Sequence, residues 1–139
     1  MKEAITVQTV VNASAARVWE SWNKPECIIG WAFASANWEA PAAENDLRVG
    51  GKFRTVMAAK DKSTSFDFTG TYTAVKENEL IEYDMDDGRH VKVEFEDTPN
   101  GVKITETFEP ENENPLEMQR SGWAAILDNF KKFVESHNK

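Results

Sequence analysis

From Ile5 to Val10 apolar and polar residues alternate with period two, which predicts a strand with one buried face. Ser14 offers a helix N-cap, and Ala15, Val18, Trp19 and Trp22 recur at helical spacing behind it, predicting a short amphipathic helix. Pro25 suits the first turn of a second short helix reaching about Gly30. Trp31, Phe33 and Trp38 fall in an irregular stretch, and Pro41 confines any strand there to a sheet edge, because proline has no amide hydrogen to give a ladder.

From Gly50 the period-two signal dominates. Phe53, Thr55 and Met57 share one face; Phe66, Phe68, Gly70, Tyr72 and Ala74 share another, with Asp67, Thr69, Thr71 and Thr73 opposite. Ile81, Tyr83 and Met85 follow, then Val91, Val93 and Phe95, then Val102, Ile104, Glu106 and Phe108. Asp87-Gly88 and Asn100-Gly101 are tight-turn dipeptides between these runs, so the strands form an antiparallel meander by successive hairpins. Past the polar stretch Glu109 to Asn114, Asn114 is expected to cap a last helix, with Pro115 in its first position and Glu117 completing a capping box. Leu116, Trp123, Ile126, Leu127, Phe130, Phe133 and Val134 then make one stripe of period 3.6, ending near His137.

A sheet with one apolar face needs a cover, and this helix is the only long amphipathic element available. The expected architecture is α+β: a curved antiparallel sheet wrapped around a long C-terminal helix, with two short helices after the first strand closing one end. Gly50, Gly51 and Gly70 are expected to permit bulges and bending, with Gly50-Gly51 a bulge at strand entry. Residues 1–139 show no repeat or linker and are read as a single domain.

Composition narrows the function. Sixteen Lys and Arg against 24 Asp and Glu give a net charge of -8, and no basic patch offsets it, so nucleic acid and anionic membrane surfaces are not expected partners. One cysteine, Cys27, permits no intrachain disulfide and suits a reducing compartment; with neither a signal peptide nor a membrane-spanning run, the cytoplasm is expected. Two histidines, His90 and His137, do not make a metal site, and no cofactor is expected. His90 is out of phase with its strand and is expected on the surface.

The order of elements resembles the helix-grip fold of the START-like, or SRPBCC, superfamily. Particular segments resemble the branch named for the heat-shock protein 90 ATPase activator homologues: Val18-Trp19, Lys24-Pro25-Glu26, Trp31, Asp46-Leu47-Arg48-Val49-Gly50-Gly51-Lys52-Phe53-Arg54, Gly70-Thr71-Tyr72, and Gly122-Trp123 followed by Ile126-Leu127-Asp128-Asn129-Phe130. The resemblance spans nearly the whole chain and implies a domain that grips a small hydrophobic ligand between sheet and helix. The co-chaperone that names the branch has a further N-terminal domain. This chain opens on its first strand, so chaperone activation is not the expectation.

The candidate ligand-binding residues are Trp31, Phe33, Phe53, Met57, Phe68, Tyr72, Tyr83, Phe95, Glu106, Met118, Gly122 and Trp123. The aromatic set either lines a cavity, with hydroxyls to orient a ligand, or fills its own core. Gly122 weakens a helix by roughly 1 kcal/mol, either to leave room for a ligand beside Met118 and Trp123 or to let a neighbour pack close. Glu106 falls on the inward face: it is a polar anchor or general acid/base, or it reaches solvent at a strand end or pairs with Arg120. Three functions follow: a binder of a small hydrophobic or aromatic molecule, an enzyme using Glu106 or a tyrosine in the same cavity, or a protein-interaction module with a filled core. Cys27, with no histidine near it in sequence, is read as a buried structural thiol.

Overall fold

A computed structural model describes residues 4–137 of the chain, with the side chain of His137 outside the described set. The elements run β1 (Ile5–Val11), α1 (Ala15–Asn23), α2 (Pro25–Ile28), β2 (Trp38–Asn45), β3 (Lys52–Ala59), β4 (Ser65–Lys76), β5 (Leu80–Met85), β6 (His90–Thr98), β7 (Gly101–Phe108) and α3 (Leu116–His137). All neighbouring strands are antiparallel, in the order β1-β7-β6-β5-β4-β3-β2, so β1 and β2 are the edges of a seven-stranded sheet. The sheet curls around α3, which packs along β1 and against α1. Among the described residues no helix is long and apolar enough to cross a membrane.

The alternation seen in the sequence is the alternation of burial. In β7, Val102, Ile104, Glu106 and Phe108 are buried while Lys103, Thr105 and Thr107 are not. Ser14 caps α1 as expected, its hydroxyl accepting the Arg17 amide. The core joins Val11, Ile81, Val91, Val93 and Ile104 of the sheet to Leu127, Phe130 and Val134 of α3. Gly101 turns the β6–β7 hairpin with φ +128°, where a side chain would be strained and its Cβ would run into the Val11 carbonyl.

Several expectations are corrected. The register breaks fall between Glu39 and Ala42, around Pro41, and between Tyr72 and Ala74; Gly70 pairs with Phe53 and Met85 without a break. A Cβ at Gly70 would sit 2.8 Å from the Phe53 ring, so this glycine makes room for an aromatic ring rather than a bend. The bulge at Thr73 places Ala74 opposite Glu82 and turns Val75 inward instead, opposite Ile81. Leu116 and Phe66 are exposed. Asn114 does not cap α3 with its side chain, which turns to the Glu111 carboxylate. Gln119 holds that loop instead: its oxygen accepts the Glu111 amide and its NH₂ donates to the Asn114 carbonyl at 2.8 Å.

Both edge strands carry something that interrupts them. Pro41 and the register break interrupt β2. On β1, Arg120 donates to the Thr6 carbonyl at 3.1 Å and Lys131 to the Val10 carbonyl at 2.8 Å. Arg120 therefore serves the edge of the sheet and is not the partner of Glu106.

Candidate functional site

Between α3 and the β3–β5 part of the sheet lies a cavity of about 720 Å³. Its sheet wall is built by alternation: Phe53 and Met57 from β3, Phe68 and Tyr72 from β4, Tyr83 from β5. Its helix wall is Met118, Gly122, Trp123 and Ile126, and Trp22 and Trp31 close the far end. The aromatic wall braces itself. The Phe53 ring lies 4.8 Å from Tyr83 and 5.3 Å from Tyr72, and Trp123 stacks at 4.0 Å on Phe108, outside the cavity. These rings line space rather than fill it. Gly122 explains part of that space: a Cβ built on it meets no atom within 4 Å, so close packing is not the reason for this glycine.

Phe33 and Phe95 do not line the cavity. Phe95 faces inward, but Trp19 and Trp22 of α1 pack over it at 5.4 and 5.6 Å. Phe33 lies at a separate shallow depression with Gly30 and Phe133, its carbonyl taking a 2.7 Å hydrogen bond from Asn129. Trp31 lines the cavity from a buried position, and its indole donates to the Ser21 carbonyl at 3.0 Å.

Polar groups are few. Glu106 is only 6% exposed, and no described side chain hydrogen-bonds or ion-pairs with it. Burial pushes its carboxyl up to about 8, so it is mostly protonated at neutral pH. The Tyr83 hydroxyl also has no described partner; burial, then the nearby Glu106, holds its pKa well above the ordinary value. Tyr72 is satisfied by donating to Asn45 Oδ1, while Asn45 donates to the Asn23 carbonyl at 2.7 Å. Burial raises the Tyr72 pKa, an effect that this hydrogen bond partly opposes.

Asn45, Gln119, Thr55 and Trp22 also line the cavity and were not among the candidates. Gln119 had a readable signal, since it shares the helical stripe of Trp123, Ile126 and Phe130. Asn45 had none, because the pattern around Pro41 is irregular.

The mouth opens between the exposed side chains of Phe66 and Met118. Asp67, Asp86, Asp87 and Glu111 stand around it; among the described residues Asp67 is paired with Arg54 at 2.8 Å and Asp87 with Arg89 at 2.8 Å. Among the described residues no histidine, lysine or cysteine lines the cavity. Cys27 is half-buried in α2, its thiol pKa raised chiefly by burial. No group of three His, Cys, Asp or Glu among the described residues is placed to hold a metal ion.

His90 lies away from the cavity, its ring between Asp84 at 2.6 Å and Glu82 at 2.9 Å. Those hydrogen bonds, Asp84 first, raise its pKa. Its imidazole resonances are therefore expected to titrate with a midpoint above the ordinary 6.5, and to fall back toward it in Asp84→Asn. A midpoint at or below 6.5 in the wild type would contradict the carboxylate clamp.

The family described as Activator of Hsp90 ATPase homolog 1-like protein matches residues 12–135. The solution structure of the AHSA1-like protein from Aeromonas hydrophila is 42% identical and superposes with a TM-score of 0.91 over 97% of this chain and 94% of that one. A protein of Cytophaga hutchinsonii, also solved in solution, is 51% identical, with a TM-score of 0.82 over 96% of this chain and 92% of that one. A crystal structure from Chromobacterium violaceum shares the fold at 22% identity, with a TM-score of 0.85 over 96% and 99% of the two chains. No curated protein matches the chain.

Proposed function

The chain belongs to the family of Activator of Hsp90 ATPase homolog 1-like proteins, and from that premise we propose that it binds a small hydrophobic or aromatic molecule between the sheet and α3. One observation carries this reading: the space between helix and sheet is walled by aromatic and apolar side chains and has in it two polar groups without a partner among the described residues, Tyr83 and Glu106. Its volume, about 720 Å³, is in the range that small-molecule sites occupy. Apolar walls supply affinity by burying ligand surface, and a few polar groups fix orientation. Away from the carboxylates of the mouth, acid–base catalysis would rest, among the described residues, on Glu106 and the tyrosines, so we favour binding.

The test is amide NMR of the labelled protein during addition of fatty acids, sterols, flavonoids and aromatic acids and amines. Saturable shifts at Phe68, Tyr83, Met118 and Gly122 are expected from at least one class. The absence of shifts from every compound would sink the proposal. Gly122→Leu adds a side chain where nothing now stands. It is expected to keep the fold, since leucine is the better helix former, and to weaken any cavity ligand by about tenfold or more. Unchanged affinity in a folded variant would place the ligand elsewhere.

A further inference from the structure

We propose that the cavity takes an organic cation: an amine on an apolar or aromatic body, its ammonium group set against Glu106. This inference rests on the cavity reading above and names the chemistry of its ligand.

Three independent features select the sign of the charge. The first is Glu106, 6% exposed and without a described partner. A carboxylate in apolar surroundings is costly unless a counter-charge meets it, and none of the described residues supplies one. Val7 and Val93 flank Glu106 on the neighbouring strands, and Tyr83 faces the same space from β5. Tyr72 on β4 is engaged by Asn45. From α3, Arg120 reaches the Thr6 carbonyl and Glu117 rather than Glu106. From the β5–β6 turn, Arg89 is held by Asp87.

The second feature is the wall. Phe53, Phe68, Tyr83 and Trp123 line the cavity, and an ammonium ion is attracted to the negative π-cloud of an aromatic ring most strongly where water is excluded. The third is the mouth. Asp67, Asp86, Asp87 and Glu111 outnumber the two described cations beside them, Arg54 on Asp67 and Arg89 on Asp87, so the entrance still favours a cation over an anion. A neutral ligand would gain nothing from that rim, and a carboxylate would meet Glu106 with, among the described lining residues, only Arg89 to receive it, already held by Asp87.

The balance of protons follows. With an ammonium bound, Glu106 sits as the carboxylate, and its proton leaves to solvent. Because the free carboxyl titrates near 8, amine affinity is expected to rise on the order of tenfold per pH unit from pH 6 to 8, then level off.

The experiment titrates wild type and Glu106→Gln at pH 6, 7 and 8 with three probes sharing one biphenyl body: 4-phenylbenzylamine, 4-phenylbenzyl alcohol and 4-phenylbenzoate. Dissociation constants come from amide NMR shifts, which also locate the probe and show that the variant is folded. In wild type at pH 8 the amine is expected to bind roughly tenfold or more tighter than the alcohol, with the carboxylate weakest. In Glu106→Gln the amine-to-alcohol ratio falls toward one. The pH dependence in wild type stands even without the variant. If the alcohol or carboxylate binds as well as the amine, with shifts at Phe68, Tyr83 and Gly122, the inference falls and the cavity reading survives. An amine preference that ignores pH, persists in Glu106→Gln, or shifts only residues of the mouth such as Asp86 also overturns it. No binding by any probe overturns it too, and the broader library then reports separately on the cavity.

Discussion

Glu106→Gln is expected to be more stable than the wild type at pH 8.5 and nearly equal to it at pH 5. In the folded chain burial lifts the Glu106 carboxyl from the ordinary 4.5 to about 8. Between those values the native state holds a proton that the unfolded chain has released. The stabilisation from that proton is fully present below 4.5 and is lost as the pH rises through 8. Over that window the linkage is worth on the order of 3–5 kcal/mol. Glutamine is close in size and does not titrate, so the variant lacks this decline, while every other group contributes equally to both proteins. Urea denaturation of both at pH 5, 7 and 8.5 checks it. Parallel stability curves for the two proteins would mean that Glu106 reaches water or a partner.

Phe130→Ala should have an effect of similar size in the opposite direction. Phe130 is fully buried, with its ring 4.8 Å from Trp22 and 4.9 Å from Trp31, both edge to face. It is where α3 meets α1 and the segment that follows α2. Truncation removes the ring's buried surface and leaves a void that two rigid indoles cannot easily fill, costing about 3–5 kcal/mol. Because Trp22 and Trp31 also close the far end of the cavity, the loss is expected to weaken ligands as well. Denaturant unfolding followed by tryptophan fluorescence measures the first effect. A loss below about 1 kcal/mol would show that the site collapses around the void, and that Phe130 does not hold the end of the cavity.

The inward position of Glu106 was legible because β7 runs without a bulge, so simple alternation holds from Val102 to Phe108. The same rule failed on β4. The bulge at Thr73 turns over every side chain beyond it, and neither Thr73 nor Ala74 advertises a break. Phe95 shows a different limit: period two gave its face correctly, but only the docking of α1 decides that Trp19 and Trp22 cover it. Arg120 sits at the margin of the helical stripe, where spacing alone cannot choose between a buried acid and a nearby carbonyl. The structure gives it the Thr6 carbonyl. The aromatic wall was readable as a set of rings. Whether those rings enclose space depends on how far α3 stands from β3 and β4, a distance that no local pattern encodes.

Pro41 and its register break on β2, with Arg120 and Lys131 bonded to carbonyls of β1, bear on how the molecules behave toward one another. A curled sheet has two margins where a strand from another copy could be added, and such addition seeds fibrils. Here one margin lacks a continuous row of donors and the other has acceptors already taken. Crowded or freshly synthesised copies therefore have poor templates for polymerising strand to strand, even with the cavity between sheet and helix empty.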